Sequence, residues 1–127
     1  MIETTADAAL QSGLKKIGIL ATNATLATGL YKQEIEKRGL TYIEPSPEDQ
    51  ALVMESIYTL KAGNFDKAHE IMSKQKDNLF AQGAEAIILG CTEVPIILSK
   101  EATATPERYL DATLLLVKRA IHWYNEK

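Results

Sequence analysis

Residues 86–95 read Ala-Ile-Ile-Leu-Gly-Cys-Thr-Glu-Val-Pro, and this stretch narrows the fold more than any other. Ile87, Ile88 and Leu89 form an apolar run without alternation, the pattern of a parallel strand covered on both faces. Gly90 ends the run, and without a Cβ it lets the backbone turn sharply or another group approach closely. Pro95 suits the first turn of a helix, where its missing N–H costs nothing. Cys91, the only cysteine, is therefore predicted at the carboxyl end of a strand and near a helix N-terminus. Open α/β sheets bind ligands at that edge. Unpaired backbone N–H groups and the helix dipole favour thiolate there, so the expectation is a Cys91 thiol shifted toward its ionised form.

The rest of the chain alternates between strand and helix patterns. Residues 2–13 predict a short helix, with Thr4 or Thr5 as cap and Gly13 as terminator. Lys15 to Ala21 predicts a first strand, polar at its start and apolar in its body. Thr22-Asn23-Ala24-Thr25 follows at a strand-to-helix turn. Thr22 or Asn23 suits the N-cap, and the remaining free N–H groups suit an anion; the two readings are compatible. Ala24 to Lys37 predicts one helix, with Ala27, Leu30, Tyr31 and Ile35 on its apolar face and Gly39 at its end. Residues 40–43 predict a strand closed by Pro45 and Pro47. Residues 48–62 predict a helix burying Leu52, Val53, Ile57 and Leu60. Asp66 is placed to cap a third long helix running to about Gln82, with Phe65, Ala68, Met72 and Leu79 as its stripe. A brief helical turn is expected at 96–98, an irregular polar segment at 99–108, and a final helix from about Tyr109 to Trp123. The apolar face of that last helix, through Leu110, Leu114, Val117 and Ile121, is broad enough to meet a partner surface.

The pattern β-α-β-α-α-β-α predicts a parallel sheet with helices on both faces, a three-layer α/β/α domain over residues 1–127. Three strands are clear, and so thin a sheet needs cover at its edges. Composition narrows the function. The net charge is -3 with both signs interspersed, which disfavours nucleic acid. The longest apolar runs are too short to span a bilayer, and the first residues carry neither a basic nor a long apolar segment. A single cysteine excludes an internal disulfide and fits a reducing cytoplasm.

Three segments together resemble the aspartate/glutamate racemase family: 17–31 (IGILATNATLATGLY), 57–68 (IYTLKAGNFDKA) and 83–98 (GAEAIILGCTEVPIIL). The resemblance covers essentially the whole chain, and Gly90-Cys91-Thr92-Glu93 is its most specific piece. The glutamate branch typically has histidine where this chain has Glu93, so the aspartate branch is the better fit. The resemblance implies a flavodoxin-like half of a two-domain, cofactor-independent, metal-free enzyme acting on a small amino acid. In that family the site lies between the domains, and each domain supplies one cysteine to one face of the substrate Cα. An α-proton is weakly acidic, so such a site must also stabilise the carbanion through its carboxylate.

By that resemblance, Cys91 is the second domain's catalytic thiol, and Thr92 contacts substrate beside it. Thr25 binds the α-carboxylate within the Thr22–Asn23 turn. Lys61 pairs with the side-chain carboxylate, whereas by itself it reads as a solvated lysine at a helix C-terminus. Glu93 belongs to the motif, orienting the loop or pairing with a cation. Met1 falls at an interior position of the family's chain, so the first domain and its cysteine are missing from this sequence. The expected partners are a homodimeric copy or such a first domain. The family's fourth strand falls near residues 104–108, which are polar here. Two other readings remain open: a single-thiol decarboxylase or isomerase of the same architecture, and a non-catalytic carboxylate-binding or dimerisation module. For Cys91 alone the bland reading is a buried, inert thiol.

Overall fold

Both faces of the two central strands are buried, and everything else is arranged to bury them. The computed structural model describes residues 2–112. Helix α1 (Ile2–Gln11) leads into β1 (Lys16–Leu20), then α2 (Asn23–Ala27), α3 (Leu30–Lys37) and β2 (Thr41–Ile43). Next come α4 (Pro47–Lys61), α5 (Phe65–Ala81), β3 (Ala86–Leu89), α6 (Glu93–Ile97) and α7 (Ser99–Ala104). A 3-10 turn over Pro106–Arg108 then delivers β4 (Tyr109–Asp111). The four strands lie in the order β2-β1-β3-β4, and every pair is parallel. This is the flavodoxin-like order, with its switch point between β1 and β3.

The strand period of two sorts side chains into two cores. Leu20, Ile87 and Leu89 face a layer of α4, α5 and α6, against Val53, Ile57, Met72, Leu79 and Ile97. Ile17, Ile19 and Ile88 face the other way, against α1 and α3 through Ala6, Ala9, Tyr31 and Ile35. The apolar run at 87–89 thus lacks alternation because both faces need apolar groups. Helices α4 and α5 pack as a pair, and the Ser56 hydroxyl donates 2.6 Å to the Ala68 carbonyl between them. At the amino ends of the strands, Glu85 Oε1 accepts from the backbone N–H of both Lys15 and Lys16, each at 2.9 Å. Those two bonds hold its carboxyl below the usual 4.5.

Several expectations from the sequence are corrected. The helix predicted over 24–37 is two helices, because Gly29 takes φ 67°, a left-handed conformation that breaks the run and starts α3. Its Ala27 and Leu30 are exposed, while Tyr31 and Ile35 are buried. Thr4 and Thr5 lie inside α1 rather than capping it. The cap of α5 is Asn64, whose side chain accepts from Lys67 N at 3.2 Å, and Asp66 sits in the first turn instead. Leu52 and Phe65 are exposed, since α4 and α5 turn their 53–57 and 68–72–79 stripes inward. Residues 99–104 and 106–108 are helical, separated by Thr105, rather than irregular throughout. A fourth strand does form, at Tyr109–Asp111, just beyond the polar segment. Leu110 is therefore a strand residue, and the rest of the predicted final helix, with Leu114, Val117, Ile121 and Trp123, falls outside the described residues.

The central register depends on one close contact. A Cβ built on Gly90 would lie 2.9 Å from Ala21 Cβ, and Gly90 N–H donates to Leu20 O at 2.9 Å. Ala21 Cβ is fixed to the backbone, so only a parting of β1 and β3 makes room. We expect Gly90→Ala to cost about 1–3 kcal/mol in urea denaturation. Ala21→Gly added to it should recover part of that loss, and a double variant no more stable than Gly90→Ala would refute the contact.

Candidate active site

The carboxyl ends of β1 and β3 carry two short turns held side by side by the Ala21–Gly90 contact. The β3 turn holds Cys91, Thr92 and Glu93. Thr92 Oγ1 donates to Glu93 Oε2 at 2.9 Å, and Lys61 Nζ, from the last turn of α4, lies 3.6 Å from Glu93 Oε1. Four sequence-predicted residues thus form one cluster, and Glu93 pairs with a cation as the sequence allowed. The Thr92 hydroxyl, with lesser help from the Glu93 backbone N–H and the Lys61 charge, holds the Glu93 carboxyl below its ordinary 4.5 against an upward push from burial. Lys61 is 57% exposed, so its pairing is worth at most about 1 kcal/mol and yields readily to another carboxylate.

The thiol departs from expectation. Cys91 is half-buried against the α4–α5–α6 core, and burial pushes its pKa above the ordinary 9.0. The Val94 and Glu93 backbone N–H groups pull it down, but they are outweighed, and the Glu93 carboxylate pushes it up again. The reason is local. Helix α6 spans only five residues, so its dipole is small, and its first residue is an acid beside the sulfur. At neutral pH Cys91 is a protonated thiol with a carboxylate acceptor next to it.

The β1 turn is a second cluster. Thr22 is the cap of α2: its Oγ1 accepts from Thr25 N at 3.2 Å and lies 3.0 Å from Thr25 Oγ1. Asn23 N–H meets Met54 Sδ at 3.4 Å. Asn23 Oδ1 accepts from Gln50 Nε2 at 3.0 Å, and the same nitrogen donates to Ala21 O at 2.9 Å. Gln50 was missed from sequence, yet it lies on the inward stripe of α4 with Val53 and Ile57, all three buried. A polar residue on an apolar stripe was the available signal.

A cavity of about 790 Å³ opens elsewhere, on the β4 side, lined by Leu14, Leu89, Pro95, Ala102, Tyr109 and Leu110 among others. None of Thr22, Asn23, Thr25, Lys61, Cys91, Thr92 or Glu93 lines it. Among the described residues no three His, Cys, Asp or Glu side chains gather to hold a metal ion, and no helix is long and apolar enough to cross a membrane.

The chain belongs to the Asp/Glu/hydantoin racemase family, whose sequence profile matches residues 1–120. It is similar to an uncharacterised Pectobacterium carotovorum protein encoded in the pnlA 3' region, 39% identical over 124 residues. That alignment covers 98% of this chain and 83% of the relative. A Persephonella marina glutamate racemase is 34% identical over 85 residues, covering 65% of this chain and 30% of that enzyme. The solved Picrophilus torridus aspartate racemase superposes with a TM-score of 0.73 at 29% identity, over 87% of this chain and 45% of that one. The chain therefore spans less than half the length of either named racemase.

Iodoacetamide labelling tests the electrostatics of the thiol. The pH midpoint of Cys91 alkylation should lie above 9.0, and Glu93→Gln should move it down by removing the adjacent negative charge. A midpoint at or below 9.0, or one indifferent to Glu93→Gln, would contradict the arrangement described.

Proposed function

We propose that this chain is the second-domain half of a cofactor-independent racemase for aspartate or a related acidic amino acid, with Cys91 as one of its two acid/base thiols. The observation that carries the reading is the Cys91–Thr92–Glu93–Lys61 cluster at the sheet's switch point, within a family match. A protonated Cys91 suits the acid role. A base on the opposite face takes the α-proton, and the electron pair is held on Cα and delocalised into the carboxylate. The Cys91 S–H bond then breaks, its proton goes to Cα, and a thiolate remains. In the reverse direction that thiolate is the base. Thr22, Asn23 and Thr25 receive the α-carboxylate, and Lys61 exchanges Glu93 for the side-chain carboxylate.

The opposite thiol must come from another domain or chain. Two features support a covering surface. The cluster lies outside the cavity, and Tyr58 and Ile96, next to Lys61 and on α6, are 60% and 54% exposed. The aspartate racemase match, which leaves more than half of that enzyme unaligned, favours a first racemase domain as the cover. The Pectobacterium relative, 83% covered by this chain, favours the alternative of a half-length protein that pairs with itself or binds carboxylates without catalysis. We place the chain in the cytoplasm in either reading, in keeping with its single cysteine.

Proton NMR of L-aspartate in deuterated water distinguishes these. With the first domain of an aspartate racemase added, we expect loss of the α-proton signal together with D-aspartate. Cys91→Ser should slow this by about 10²-fold or more. Exchange that survives Cys91→Ser would sink the thiol role. Tight L-aspartate binding with no exchange in any mixture would establish the binding module instead.

A further inference from the structure

We propose that Gln50 is a positioning residue that locks Asn23 as an outward-facing amide donor for a ligand carboxylate at the end of β1. The inference rests on the reading of that turn as part of an amino-acid site. It follows from which atoms can donate. The Ala21 carbonyl can only accept, so the Gln50 arm 2.9 Å from it must be the NH2. The second hydrogen of that NH2 points to the Asn23 arm 3.0 Å away, which must then be the oxygen. The opposite arm of Asn23 is its NH2. Asn23 is exposed, and Nδ2 makes no hydrogen bond to the described residues. An unlocked asparagine presents oxygen or nitrogen by turning its amide over, and the oxygen repels a carboxylate.

Gln50 carries a cost for this. It is only 8% exposed, and its Oε1 is buried without a partner. A methionine would fill the same space beside Val53 and Ile57 with no unsatisfied acceptor. What a methionine lacks is the pair of donors that tie Asn23 to the strand end. The lock also joins α4 to the ligand turn, so the helix that carries Lys61 sets the facing of Asn23 as well.

The test uses the whole chain with L-aspartate and succinate as probes, followed by calorimetry. Asn23→Asp keeps the inner oxygen for Gln50 and replaces the outward NH2 with oxygen. It should leave the melting temperature unchanged and weaken both probes by about tenfold or more, the size of one hydrogen bond to a charged group. Gln50→Glu accepts from Asn23, turns its oxygen outward and should give the same loss. If Gln50→Glu does not fold, Gln50→Met should fold and weaken binding by about twofold, the share of turned-over amide. A ligand-free arm reads the lock itself: in 15N spectra the Gln50 side-chain protons should exchange slowly and the Asn23 side-chain protons fast. Unchanged affinity in Asn23→Asp overturns the ligand role of Asn23 while leaving the racemase reading intact. Fast exchange at Gln50 overturns the lock. Wild-type chain that binds neither probe overturns the carboxylate assignment and the proposed site together, and the exchange pattern still decides the lock.

Discussion

The contact between Ala21 and the bare Cα of Gly90 is the constraint on which the rest of the molecule depends. Among the described residues, strands β1 and β3 are the two with a sheet neighbour on both sides, and their carboxyl ends carry both polar clusters. Had either position carried a larger side chain, the strands would splay where they must be closest. The two turns would then face separate patches of solvent. The register Leu20↔Leu89 delivers Ala21 and Gly90 abreast, and the same register sets Thr22 and Cys91 next along each strand. Packing and chemistry are therefore fixed by one steric choice.

Electrostatics at this edge runs against the simplest expectation for a cysteine near a helix start. A short helix contributes little field, burial opposes charge, and Glu93 adds a negative neighbour. The outcome is a thiol that keeps its proton and a carboxylate steadied by a hydroxyl and a lysine. Lys61 is the adaptable member, because it is well exposed and holds Glu93 at a distance of 3.6 Å. Under the racemase reading proposed above, a thiol that keeps its proton suits the acid role better than a permanently ionised nucleophile would.

Most of the fold was legible in the sequence, because the central strands are buried on both faces and leave apolar runs at 17–20, interrupted only by Gly18, and at 87–89, unbroken. The layer order followed from alternation of strands and helices. What escaped reading has physical causes. The break at Gly29 sits inside a continuous helical pattern, and only its positive φ reveals it. Asn64 and Asp66 are both good caps, and backbone geometry chose between them. The fourth strand is three residues long and follows a polar segment, so no period could show it. In the site, Cys91, Thr92 and Glu93 were visible as a contiguous motif. The Lys61–Glu93 pair was not, since it joins the end of α4 to the start of α6. Gln50 was overlooked because a glutamine reads as solvent-facing until its stripe with Val53 and Ile57 is noticed.

Glu85 gives the sheet a polarity of another kind. From just before β3, its carboxylate grips two consecutive amides at the amino end of β1, opposite the edge that carries the two polar clusters. Its pKa is depressed in the folded chain, so this grip is fully present above pH 4.5 and fades as the pH falls through the lower folded value. Acid therefore loosens the sheet from its base first, like a fan whose ribs part at the free end while the rivet at Ala21 and Gly90 holds. The amides of Lys15 and Lys16 would lose hydrogen-exchange protection in mild acid before those of Leu20 and Gly90. The Ala21–Gly90 contact, which involves no titratable group, outlasts that grip as the medium becomes acidic.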